Sequence, residues 1–208
     1  MVRLSGDPPD PAAFTDAENW TGGFYELAIE VGDTDDERLD RVLGALWRAA
    51  GIRGCQLDRD REPDESIAVP PARSSVVGSD HLYGRVDLPG GARIVCGVYV
   101  TREDRGSDWV DFYLPTGALA RVDARLGGFP FFDDGGPRSL DRRRPIDDWL
   151  ARVGAEMYDD VGFRLRLIGY EVFGDPDVEE PFDRADPPAR FGYLFPESTG
   201  VRYVPATR

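Results

Sequence analysis

The 208 residues carry 25 basic against 39 acidic side chains, a formal charge of −14 at neutral pH, with 41% hydrophobic and 11% aromatic residues. That apolar content favours a packed fold over disorder, and the length suffices to bury a core without disulfides or metal. Every basic residue is arginine and histidine occurs once, which argues against Schiff-base lysine enzymes, phosphate-loop and kinase lysines, and multi-histidine zinc or iron sites.

Residues 1–20 are polar and proline-rich, read as a loose arm with no apolar leader. No run approaches the ~18 apolar residues of a membrane span, so a cytoplasmic protein is expected. Over 24–31, Tyr25, Leu27, Ile29 and Val31 alternate with Glu26, Ala28 and Glu30, the period-2 pattern of a strand with one wet face. A helix follows. Thr34 and Glu37 have capping-box spacing, Asp35 and Asp36 suit the first turn, and Leu39, Val42, Leu43, Leu46, Trp47 and Ala50 recur on one face until Gly51 stops it. A short strand over 54–58 comes next.

Residues 59–80 read as a charged loop with Pro70-Pro71, followed by a hairpin of strands 82–88 and 92–101 around Pro89-Gly90-Gly91. Its second strand places Ile94, Cys96, Val98 and Val100 on one face and Val95 and Tyr99 on the other, as a strand covered on both sides would. Residues 109–114 form another strand, with Val110, Phe112 and Leu114 in phase; 115–144 are rich in glycine, proline and arginine. A second helix is expected to start at Pro145, with Asp147 and Asp148 in its first turn and Ile146, Trp149, Leu150, Val153 and Met157 as its buried stripe. The strand over 163–173 changes phase near Gly169, as at a bulge. The acidic, proline-rich remainder ends in a short hairpin, 191–195 and 201–204.

The resulting expectation is an α+β fold: a mostly antiparallel sheet of about six strands with two amphipathic helices on one face. The order is β-α-β, β-hairpin, β-α-β, plus a Pro-rich C-terminal tail. The chain divides into an arm (1–20), an α+β core (21–173) and a tail packed on that core (174–208), one domain overall.

Few residues carry chemistry. Cys55 and Cys96 form no CxxC and are read as buried thiols, able to bridge only if their strands pair side by side. The alternating acids of 58–65 resemble a calcium loop but lack its turn glycine, contain Pro63 and are partly neutralised by Arg59 and Arg61. Acid pairs recur at Asp35-Asp36, Asp133-Asp134, Asp147-Asp148 and Asp159-Asp160. The first and third are explained by helix N-termini, leaving Asp133-Asp134, in a loop beside aromatics, as the pair suited to carboxylate chemistry. His81 opens a strand, and no Gly-x-Ser-x-Gly elbow supplies it with a nucleophile. Phe129-Pro130-Phe131-Phe132 either plugs the core or presents an aromatic binding patch.

The candidate binding residues are therefore Phe129, Phe131, Phe132, Asp133 and Asp134, with no catalytic, cofactor or metal set assigned. The acidic surplus disfavours nucleic acid and suits a basic protein partner. The function expected is a non-catalytic acidic protein-binding module, of an immunity, antitoxin or regulatory type. The alternatives are a metal-assisted hydrolase using the loop acids with His81, and a structural or oligomerising domain.

Overall fold

The alternation over 24–31 becomes β1 (Phe24–Asp33), which lies inside one antiparallel sheet. The computed structural model describes residues 8–76, 81–102, 106–127, 136–173 and 183–208. Within them the sheet also contains β2 (Arg53–Gln56), β3 (His81–Asp87), β4 (Arg93–Arg102), β5 (Ser107–Pro115), β6 (Leu165–Tyr170), β7 (Gly192–Glu197) and β8 (Gly200–Val204). The strands are ordered β2-β3-β4-β5-β1-β6-β7-β8. Helices α1 (Asp36–Ala50), α2 (Arg73–Val76), α3 (Thr116–Val122) and α4 (Gly136–Glu156) complete the α+β fold.

The sheet has eight strands rather than about six because the C-terminal hairpin joins it: β7 pairs with β6 and β8 with β7. Two short helices, α2 and α3, form where the sequence reads as loop. One face of the sheet carries Tyr25, Leu27 and Ile29 of β1, Ile94, Cys96 and Val98 of β4, and Val110, Phe112 and Leu114 of β5. These share a core with Leu39, Val42, Leu43 and Leu46 of α1 and Ile146, Leu150 and Val153 of α4.

Helix boundaries shift for local reasons. Asp35, not Thr34, caps α1, accepting from the Arg38 amide at 3.1 Å, while Thr34 turns its hydroxyl to Asp108. Gly51 ends the helix at φ 65 as expected. Helix α4 begins at Gly136, so Pro145 is internal. The carbonyl it deprives of a donor belongs to Asp141, a residue on the exposed side of the helix, where an interior proline is better tolerated.

The second face was expected to be wet along β1. Instead Glu26 and Ala28 are buried. The cause is the chain after β6: Glu171, at φ 44, reverses the direction in place of the bulge expected at Gly169. Val172 then packs with Ala28, Leu167, Phe191, Tyr193 and Phe195, and Phe173 packs beside them. The described part of the N-terminal arm is also packed rather than loose. Pro11 accepts from the Val95 amide, Ala12 accepts from Arg85, and Phe14 meets Trp20, which in turn meets Tyr83.

Candidate functional site

The strand register places the polar groups of the second face in rows. One row runs Tyr83, Gly97, Tyr113, Glu26, Gly169; the next runs His81, Tyr99, Asp111, Ala28, Leu167, Tyr193. A third holds Thr101, Trp109, Glu30 and Leu165. Directly opposed residues in such rows are roughly 5 Å apart and diagonal ones ~7–8 Å. Glu26 and Asp111, on neighbouring strands, are therefore diagonal neighbours on the same face.

Both acids are buried, Glu26 at 4% exposure and Asp111 at 3%. Glu26 Oε1 accepts from the Phe173 amide at 3.0 Å. Burial nevertheless raises its pKa to about 7, against the pull of the Phe173 and Val172 amides and with a push from Glu171. Asp111 has no hydrogen-bond donor at either oxygen among the described residues. Burial first, then the charge of Glu26, pushes its pKa well above the ordinary carboxylate range. Burial of this kind favours the protonated carboxyl, and an approaching cation favours the ionised one.

Aromatic rings surround the pair. Gly97 leaves room for the Tyr113 ring, which lies across β4 where any side chain would stand. Tyr113 OH is 3.2 Å from His81 Nδ1, and the imidazole ring centre is 4.7 Å from that of Tyr99 and 5.8 Å from that of Tyr83. Trp109 meets Phe173 edge-on at 5.4 Å. Thr101 Oγ1 is buried without a hydrogen-bond partner among the described residues. Tyr99, directly across from Asp111 on β4, Thr101, diagonal to it, and Trp109, two residues before it on β5, are partly exposed.

A second polar group lies under α4. Tyr25 OH donates to Asp147, whose pKa rises to about 6, chiefly by burial. Arg143 donates to the Arg208 carbonyl at 3.3 Å. A hollow of about 320 Å³ is lined by Asp148, Ala151, Arg152, Ala155, Leu194, Val201 and Tyr203. Arg166 is wholly buried nearby, its guanidinium carbon 3.7 Å from the Phe163 ring centre and its three nitrogens without an acceptor among the described residues.

Many of the other arginines are tied into ion pairs. Arg48, Arg53, Arg73, Arg85, Arg93, Arg102, Arg121, Arg125, Arg164 and Arg202 each lie within 4.0 Å of a carboxylate. Asp35, Glu37, Asp40, Asp60, Asp64, Glu65, Asp141, Asp148, Glu156 and Asp159 are exposed.

The candidates Phe129, Phe131, Phe132, Asp133 and Asp134 lie outside the described residues. His81 is half-buried among tyrosines. The remaining acid pairs are structural. Asp36 bridges Arg73 and Arg102, and Asp160 pairs with Arg48. Asp147, eleven residues past the start of α4, is held by Tyr25 and not by a helix N-terminus. Cys55 and Cys96 are buried free thiols, kept apart because β3 lies between their strands. Among the described residues no group of three or more metal-ligating side chains is placed to hold an ion, and no helix is long and apolar enough to cross a membrane.

In the sequence Glu26 alternates as a solvent-facing residue does, and Asp111 lies between the in-phase Val110 and Phe112, so the pattern marks neither as a site. The available signal was Trp109-Asp111-Tyr113, an acid between two aromatics on one face of an interior strand. No protein-family model, curated protein or solved structure matches the chain.

Proposed function

We propose that the protein is a non-catalytic binding module for a basic polypeptide partner, of the immunity, antitoxin or regulatory kind. The observation that supports this reading is the distribution of charge. Arginine is the only basic side chain besides His81, and the arginines named above are occupied by the protein's own carboxylates. The uncompensated charge is therefore acidic and exposed, a field that attracts and orients cationic surfaces. Titration calorimetry with an oligoarginine peptide tests the reading. Binding that weakens steeply as salt rises is expected; absence of binding at low ionic strength contradicts it.

A second reading, carboxylate-dependent hydrolysis, draws support from one observation. Glu26, with a pKa of about 7, neighbours a second raised acid, Asp111, and acids tuned to that range serve in general acid–base catalysis. A panel of chromogenic glycosides and esters addresses it. Turnover that disappears in Glu26→Gln is expected on this reading, and no turnover of any class counts against it.

A further inference from the structure

Of the two second-face acids, Glu26 accepts from the Phe173 amide, whereas neither Asp111 oxygen meets a donor among the described residues. The titratable and charged groups facing the pair are Glu30 of β1, Glu171 beyond β6, His81 and Tyr83 of β3, Tyr99 of β4 and Tyr113 of β5. Arg164, which reaches Glu30 at 3.6 Å, is already shared with Asp33 at 2.6 Å. Asp111 thus faces acids and rings, with two oxygens that no described donor reaches. A carboxyl in this setting weakens the native state unless it has another use.

We propose that Asp111 and Glu26 form the seat for one guanidinium of the basic partner, clasped between the half-exposed rings of Tyr99 and Trp109. The inference rests on the reading of the protein as a binder of a basic polypeptide. A guanidinium fits for three reasons. It is planar and pairs in bidentate fashion with a carboxylate, so it satisfies both Asp111 oxygens together. Its faces are attracted to aromatic rings, which flank Asp111 along β5 and across to β4. Its remaining N–H groups are offered Thr101 Oγ1, a further acceptor that no described donor reaches and that stands diagonal to Asp111. Burial strengthens each of these contacts relative to the same contact in water.

A seated cation favours the ionised form of Glu26, whose pKa burial lifts to about 7, and of Asp111, raised by the same cause, so binding releases protons. The expected signature is a calorimetric enthalpy that changes with the ionisation heat of the buffer, and an affinity that rises with pH through neutrality.

The experiment titrates the full chain and its Asp111→Asn, Glu26→Gln and Glu37→Gln variants with oligoarginine peptide, the last being an exposed acid remote from the seat. Asp111→Asn is expected to weaken binding by about tenfold or more and to reduce proton release, while Glu37→Gln changes affinity by less than about twofold. If Asp111→Asn fails to fold, Glu26→Gln and the wild-type proton release carry the test. Salt-sensitive wild-type binding with no proton release, or with Asp111→Asn unaffected, overturns the seat and leaves the basic-partner reading standing. Absence of peptide binding defeats that reading, and agmatine then tests the seat by itself. A shift of the Trp109 indole resonance supports it, and an unmoved resonance overturns it.

Discussion

Replacing Arg166 with methionine should make the protein more stable. Arg166 is at 0% exposure, between Gly154 of α4, Leu194 of β7 and the Phe163 ring. Burial alone presses its pKa down to about 9, so it is still protonated at neutral pH and carries its desolvation cost there. That cost is several kcal/mol for a buried ion with no counter-charge, while the Phe163 ring returns about 2 kcal/mol. Methionine keeps most of the length and apolar contact and removes the charge. The net gain expected is about 2 kcal/mol, which for a chain of this size raises Tm by about 4–8 °C. Differential scanning calorimetry at pH 7 reads it directly. A loss of more than about 1 kcal/mol would refute the reasoning, because it would mean that the guanidinium has a partner in solution.

Burial lifts Glu26 from its ordinary 4.5 to about 7. The native state therefore holds a proton that the unfolded chain has lost between those values, and stability falls as pH rises through this window, by up to roughly 3 kcal/mol. Urea midpoints against pH should show that fall, and Glu26→Gln should remove the share that Glu26 causes; an unchanged slope would contradict its assignment. Gly97→Ala places a methyl group against the Tyr113 ring and should destabilise by about 1–3 kcal/mol, read as a lower urea midpoint; a neutral result would show that the ring stands elsewhere. Burial holds the Cys55 thiol near pKa 12 and raises Cys96 as well. Both should resist a thiol reagent in the native state and react on unfolding, so rapid native labelling would contradict their burial.

The fold was legible where one face of an element decides its structure. The stripe from Leu39 to Ala50, the strand over 24–31 and the hairpin around Gly91 all read correctly because period and turn chemistry are local properties. The misplaced features depend on the rest of the chain. Pro145 reads as a helix start, yet α4 extends through it, on the side of the helix where Pro145 and Asp141 are exposed. The phase change at Gly169 reads as a bulge, yet Glu171 turns the chain over the second face. That turn is also why the acid pair was hidden. Glu26 alternates with apolar residues as any solvent-facing glutamate would, and only the cover of Val172 and Phe173 makes it a buried acid.

The account is tested most directly by mapping where a cationic ligand lands. Backbone amide shifts of the full chain, recorded with increasing oligoarginine peptide, should move on β4 and β5 around Tyr99, Thr101, Trp109 and Asp111, the half-exposed side of the second face. Shifts confined to the exposed acids of α1, or no shifts at low ionic strength, would contradict it.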